Sequence, residues 1–317
     1  RSSDPGGIQL TGSVHGLTIK KALTSDHHVR RRRAKPFAAS IGDASRPARP
    51  YPGQMSNAEF TKRATGSNLG QPLYEAAGLA WLASGGAPTA KVIAATPTQL
   101  RTELLAHGSP SATSARELGR DLARLHASGA PWFGAPPANY DGPGWMGAAP
   151  LSFTTEPQPW GRFYAEQRIR PYLSNVFTAA EAEVIETLCA RLEDGSLNHP
   201  QPALVQDQGV GAARIHGDLW SGNVMWTPRG GVLIDPAAQG GHAEEDLATL
   251  HTFGAPFLEE IIAGYQEVSP LAAGWRDRVG LHQMHILMVH SHLFGRSYVP
   301  RTIAVAKDAL RLAGTPL

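Results

Sequence analysis

The 317-residue chain has a single cysteine, Cys189, which excludes an internal disulfide framework and any cysteine-rich zinc module. It contains no apolar run near the roughly 18 residues needed to cross a bilayer, so a membrane-spanning reading fails. No apolar stretch follows the early basic residues, so a secretory signal is not expected. Charged residues are sparse, 18% against 42% hydrophobic, a balance that suits a packed core and excludes wholesale disorder. The first sixty residues hold one glycine pair, Gly6-Gly7, but no complete G-x-G-x-x-G phosphate loop, and no internal repeat is visible. What remains is a globular protein of a reducing compartment, taken as cytoplasmic, with one large or two modest domains and room for a cleft.

The charge that is present is uneven. Residues 1–54 hold ten Lys/Arg against Asp4, Asp26 and Asp43, a surplus of seven, whereas the rest holds 19 basic and 24 acidic residues. The run HHVRRRRAK at 27–35 could grip phosphates. A solvated loop is the better reading, because nucleic-acid readers add aromatic or helical docking elements, so nucleic acid is not an expected partner.

Periodicity sketches the elements. Residues 8–20 alternate like one or two strands, 36–53 read as loop, and 59–64 read as a short strand. Helical spacing marks 73–82 and 114–126, the latter with Leu118, Leu122 and Leu125 on one stripe and Gly129 past its end. Residues 91–105 look strand-like, broken by Pro97. The Pro- and Gly-rich stretch 132–159 reads as loop, followed by an aromatic helix at 160–173. Thr178-Ala179-Ala180-Glu181 is a capping box that opens a helix carrying Val184, Ile185, Leu188 and Leu192, with Gly195 at its end. Cys189 in that helix reads as a buried, inert thiol. Residues 224–227 and 232–235 flank Pro228-Arg229-Gly230-Gly231 as a hairpin, and the chain then turns helical to its end.

The chemistry concentrates in HGDLWSGN at 216–223 and in Ile234-Asp235-Pro236. Asp218 and Asn223 stand five apart, and Asp235 lies seventeen beyond Asp218, across the hairpin. Phosphoryl transfer from a magnesium nucleotide needs such a set: one carboxylate to orient the acceptor hydroxyl and take its proton, and an amide oxygen and a second carboxylate to hold hard cations. The spacing matches the kinase catalytic loop, with a metal-binding Asp at the end of the following strand. Gly217 and Gly222 let the loop turn tightly.

These residues resemble the fructosamine kinase (ketoamine kinase) family, relatives of the aminoglycoside phosphotransferases. HGDLWSGN is similar to that family's signature. IDPAAQGGHAEEDL at 234–247, HSHLFGRSY at 290–298 and, more weakly, WGRFYAEQR at 160–168 resemble its other motifs. The resemblance implies an α+β, bilobal, protein-kinase-like fold with a small mixed N-lobe and a larger, mostly helical C-lobe. The corresponding divisions are an irregular basic leader (1–58), an N-lobe core (59–105) and a C-lobe (106–317). It implies Asp218 as catalytic base, Asn223 and Asp235 as Mg²⁺ ligands, and Asp246 as a brace for the catalytic loop alongside His216. Glu103, Leu104 and Leu105 fall where the family's adenine-binding hinge lies. Trp220 either reaches the acceptor sugar or packs the loop. His242 and His290 match the family but are assigned no chemistry.

A kinase also needs a lysine for the α/β-phosphates, held by a glutamate on the next helix. Phe60-Thr61-Lys62 resembles the family's F-x-K, and Glu75 is its natural partner; Lys20, Lys21 and Arg63 compete. Gly6-Gly7 or Gly12-Ser13 could cover the phosphates, with 14–19 as the strand after them, but about forty residues separate that strand from Lys62, more than a kinase hairpin requires. The expected activity is ATP-dependent phosphorylation of a sugar hydroxyl on a ketoamine, free or protein-bound, in deglycation repair. The rivals are a kinase for an aminoglycoside or another small hydroxyl compound, and a catalytically impaired, pseudokinase-like binding module.

Overall fold

The computed structural model describes residues 58–64 and 68–315. The strands expected in 8–20, the loop 36–53, the basic run, Gly6-Gly7, Gly12-Ser13, Lys20 and Lys21 lie outside them.

The small lobe is an antiparallel sheet and one helix. Strand β1 (Glu59–Arg63) forms one edge, helix α1 (Gln71–Ser84) follows, and β2 (Val92–Thr96) and β3 (Gln99–Glu103) complete the sheet in the order β1-β3-β2. Pro97 and Thr98 separate β2 from β3, as a proline breaking a strand should. Lys62 sits opposite Leu100 in the β1–β3 register. Helix α1 has Pro72 in its first turn, where the missing N–H costs nothing, and buries Tyr74, Glu75, Leu79 and Leu82.

Helix α2 (Ala112–Ala127) opens the larger lobe with a capping box in which the Ser111 hydroxyl accepts the Ser114 N–H at 3.1 Å. Its Leu118–Leu122–Leu125 stripe is buried. Within 132–159, expected to be loop throughout, β4 (Gly144–Met146) and β5 (Ala149–Leu151) form a hairpin turned at Gly147, φ 58°. Three-residue strands carry too little alternation to stand out among prolines and glycines.

The aromatic run after residue 159 is helical but irregular. Helix α3 (Trp160–Phe163) widens into a π turn (Tyr164–Ile169) and tightens into a 3₁₀ turn (Arg170–Tyr172) around Pro171, which cannot supply a helical N–H. The irregular stretch turns Arg168 fully inward, 4.6 Å from the Phe163 ring centroid and bonded to the Gln239 amide oxygen. Helix α4 (Ala179–Glu193) begins at the Thr178–Glu181 capping box and ends at Gly195, φ 81°. Cys189 is buried there, its thiol pushed up to about 12, chiefly by burial.

After the short α5 (Ala203–Asp207), β6 (Ala213–Ile215) pairs with β9 (Gln239–Gly241), and the hairpin β7 (Val224–Thr227) and β8 (Gly230–Leu233) lies between them in sequence. Helices α6 (Ala243–Phe253), α7 (Leu258–Val268), α8 (Trp275–Phe294) and α9 (Val299–Leu312) complete the lobe. Leu118 and Leu122 of α2, Val224 and Leu233 of the hairpin, Leu247 of α6 and Ile261 of α7 share one apolar cluster, so the hairpin is anchored in the core. Among the described residues no helix is long and apolar enough to cross a membrane.

Candidate active site

The loop 216–223 enters from β6 and leaves into β7. His216 is buried and its tautomer is fixed by its partners: Nε2 donates to the Ile234 carbonyl at 2.9 Å, while Nδ1 accepts the Asp218 N–H at 3.2 Å. Burial holds its pKa below the usual imidazole value, which suits a neutral ring. Gly217 follows at φ 81°, and a Cβ there would run into the Ala237 carbonyl.

Asp246, on the first turn of α6, braces this turn. One carboxylate oxygen accepts the His216 N–H at 2.7 Å and the other the Gly217 N–H at 2.9 Å. His126 on α2 donates Nε2–H to the same carboxylate at 3.1 Å, and its Nδ1 lies 2.9 Å from the Tyr265 hydroxyl on α7. Burial alone would raise the Asp246 pKa, but the His126 and His216 donors outweigh it and hold the carboxyl below its ordinary range. His126 and Tyr265 were not singled out in the sequence. Each lies on an apolar helical stripe and reads there as core.

Asn223 ties the loop to the strand end. Its Nδ2 donates to the Asp218 carbonyl at 2.8 Å and to the Asp218 carboxylate at 3.1 Å, and lies 3.5 Å from the Asp235 carbonyl oxygen, which leaves Oδ1 as the atom available to a cation. Asp235 follows β8 with φ 53°, in the left-handed region, directly before Pro236. That conformation costs on the order of 1–3 kcal/mol for a non-glycine residue, and such strain concentrates at functional sites. Lys62 Nζ lies 2.8 Å from Glu75 and 3.1 Å from Asp235. Thus Lys62, rather than its neighbour Arg63, joins the small lobe to the strand end, and Asp218, Asn223, Asp235, Lys62 and Glu75 form one connected group.

The electrostatics follow from this crowding. Asp218 is pushed up to about 7, first by burial and then by the negative charge of Asp235. Burial would raise Asp235 too, but Lys62 holds it below the ordinary carboxylate value. Glu75 is raised to about 8 by burial, with Lys62 opposing and Asp235 adding to the rise. Lys62 is raised: burial opposes its charge, and Glu75 and Asp235 more than offset that.

Glu103, Leu104 and Leu105 lie at the end of β3, on the path into α2. Glu103 N–H donates to the Lys91 carbonyl and Leu104 N–H to the Ala58 carbonyl, both at 2.9 Å, while Leu105 N–H has no partner among the described residues. None of the three is hydrogen-bonded to the Asp218 group. Trp220 is half-buried: its ring lies over Gly222 and meets Phe253 edge-on at 5.9 Å between centroids. From Phe253 the aromatic contacts continue to His290 at 5.2 Å, and His290 touches Phe294 and Tyr298. Phe253 and Phe294 are 39% and 45% exposed, so an aromatic strip runs from beside Asp218 to the surface. Phe253 was not read from the sequence; the HSHLFGRSY motif was the signal for the rest.

The fructosamine kinase profile matches residues 60–311. The chain belongs to the fructosamine kinase family. A crystal structure of a Thermobifida fusca protein named "putative fructosamine-3-kinase" is 39% identical over 80% of this chain and 85% of that one, with a TM-score of 0.71. An Enterococcus faecium protein named "Probable ketoamine kinase" is 32% identical over 60% of this chain and 65% of its own length. Ketosamine-3-kinase of Mus musculus is 34% identical over 47% of this chain and 46% of its own length. The chain thus spans less than two thirds of either of these two relatives. The α+β architecture, with its small sheet-and-helix lobe and larger helical lobe, is shared with that Thermobifida fusca structure.

Proposed function

We propose that this fructosamine-kinase family member is an ATP-dependent kinase that phosphorylates a sugar hydroxyl of a ketoamine. The observation that carries the reading is the convergence of Lys62, Glu75, Asp235, Asn223 and Asp218, drawn from both lobes, within single hydrogen-bond or ion-pair distances. Asn223 Oδ1 and the Asp235 carboxylate are hard oxygen donors of the kind magnesium takes. Magnesium, when bound, supplies charge neutralisation at the phosphates of ATP. Lys62, oriented by Glu75, is placed to meet the α/β-phosphates. Asp218 holds the acceptor hydroxyl and takes its proton as the new O–P bond forms and the bond from the γ-phosphorus to the bridging oxygen breaks, releasing ADP. Glu103–Leu105 would offer backbone groups to the adenine, with the Leu105 N–H the uncommitted donor among them. Trp220, beside the base and with a partly open face, is placed to cover the sugar. A phosphate on the third carbon of the sugar would leave an unstable product that frees the amine, which gives a deglycation role.

The test is turnover of ribulosamine, fructosamine and kanamycin with Mg·ATP, repeated with Asp218→Ala. Ketoamine phosphorylation that falls about 10²–10⁴-fold in the variant is the expected result, in keeping with removal of a positioned base. Phosphorylation of kanamycin alone, or ketoamine turnover undiminished in the variant, would remove this assignment.

A further inference from the structure

We propose that the larger lobe holds a second, structural metal site, for a zinc-class divalent ion, in which His199, His282 and Glu244 are ligands and His242 orients the fourth. These four residues come from the loop after α4, the start of α6 and the middle of α8, and one ligand atom of each lies within 4.8 Å of the other three. His199 Nε2 is 2.8 Å from His282 Nε2, and Glu244 Oε2 is 3.4 Å and 3.9 Å from His282 and His199. Tetrahedral zinc with bonds of about 2.0–2.1 Å sets its ligand atoms about 3.3–3.4 Å apart, which these separations bracket. His242, Glu244 and His282 are buried, and the His199 side chain is only 5% exposed.

The hydrogen bonds around the cluster fix which atoms are available. His199 Nδ1 donates to the Leu197 carbonyl at 2.8 Å, so its bare Nε2 faces inward. Arg278 grips Glu244 through two nitrogens, at 2.6 and 3.0 Å, orienting the carboxylate as an outer-shell partner does. His242 Nδ1 accepts the Glu244 N–H at 3.2 Å, so the neutral ring carries its proton on Nε2, and that atom is buried with no partner. A buried N–H without a partner, on a ring whose centroid lies 4.5 Å and 4.7 Å from those of His199 and His282, is the second observation that points to a ligand. It is placed to donate to a water or hydroxide at the fourth corner. With Glu244 balanced by Arg278 the shell is net neutral, as in three-histidine zinc sites, and a hydroxide there reduces the charge the ion brings. The clamp would join three segments, including the helix start from which Asp246 holds the catalytic loop.

The metal-free alternative is a direct His282 to His199 hydrogen bond, and solution measurements separate the two. The full chain, stripped of metal, is titrated with Co²⁺ and with Zn²⁺, read by the visible d–d bands of tetrahedral cobalt, by metal content after dialysis and by melting temperature. Asp235→Asn removes the other cation site, and His199→Ala/His282→Ala removes this one. One ion per chain, tetrahedral bands and a raised melting temperature, retained in Asp235→Asn and weakened more than about 100-fold in the double variant, is the expected result. Absent bands with no zinc-induced melting shift in the unsubstituted chain would overturn the site. So would bands that survive unchanged in the double variant. The unsubstituted chain decides the matter even if that variant fails to fold.

Discussion

Lys62 divides its charge between Glu75 and Asp235, and the two partners ask different things of it. Glu75, only 6% exposed at its side chain, is the orienting partner, whereas Asp235, 42% exposed, stays accessible to a cation. Assayed at pH 9, above the value of about 8 at which Glu75 ionises, Glu75→Gln keeps the shape and removes the charge. A hydrogen bond to a charged group is worth about 1.5–3 kcal/mol, so kcat/KM for ATP should fall about 10–100-fold. An unchanged kcat/KM in steady-state assays would show that Glu75 does not position the lysine. Asp218 makes a separate prediction about pH. Burial and Asp235 lift it to about 7, and a protonated carboxyl cannot take the acceptor's proton. Activity that requires its ionised form is present above that value and is lost as pH falls through it. The kcat/KM for ATP, which reports the free enzyme, should therefore show an acid limb near pH 7. A profile flat down to pH 5 would mean that Asp218 is not the group titrating.

Helices α2 and α7 meet through glycines: a Cβ on Gly119 would strike the Ile261 carbonyl, and one on Gly264 the Arg116 carbonyl. That closeness lets His126 reach both the Tyr265 hydroxyl and the Asp246 carboxylate. Gly119→Ala gains about 1 kcal/mol of helix propensity but must push two backbones apart, at a cost of about 1–3 kcal/mol. The net should be destabilising in urea unfolding and, through His126, a lower kcat; a neutral or stabilised variant would mean that the helices separate freely. The same helices show which features could be read in the sequence. The Thr178–Glu181 cap and the β7–β8 hairpin are local arrangements, so a few residues specify them. Lys62 to Glu75 spans thirteen residues along a strand–loop–helix path, still short enough to follow. The His126–Asp246 pair spans 120 residues and joins two helices, and β6 finds β9 only around the hairpin between them. Neither leaves a local trace. The histidines at 199, 242 and 282 are likewise scattered singly and gain meaning only when α6 and α8 pack together.

At the scale of the whole molecule, the interior holds an unusual load of neutral imidazoles. His216, His242, His282 and His285 are all buried, and each has its pKa lowered, in every case chiefly by burial. His285 lies apart from both proposed sites: its ring is 5.6 Å from that of Tyr172, its backbone N–H donates to the Tyr164 hydroxyl, and the fully buried Arg168 adds a positive charge that disfavours protonation. In the unfolded chain such a ring takes up a proton near pH 6.5, whereas the folded one does not until far lower pH. The unfolded state therefore binds more protons below pH 6.5, and stability falls as pH drops from there. The contribution is fully present above pH 6.5, and each ring steepens the decline by up to about 1.4 kcal/mol per pH unit. Urea unfolding of the full chain at pH 7.5, 6.5 and 5.5 should show this loss. His285→Phe keeps the packing against Tyr172 and removes one titrating ring, so its stability should decline more gently over the same interval, whatever its stability at pH 7.5. Parallel declines for the two proteins would mean that His285 is protonated inside the fold, and that Arg168 and burial do not hold it neutral.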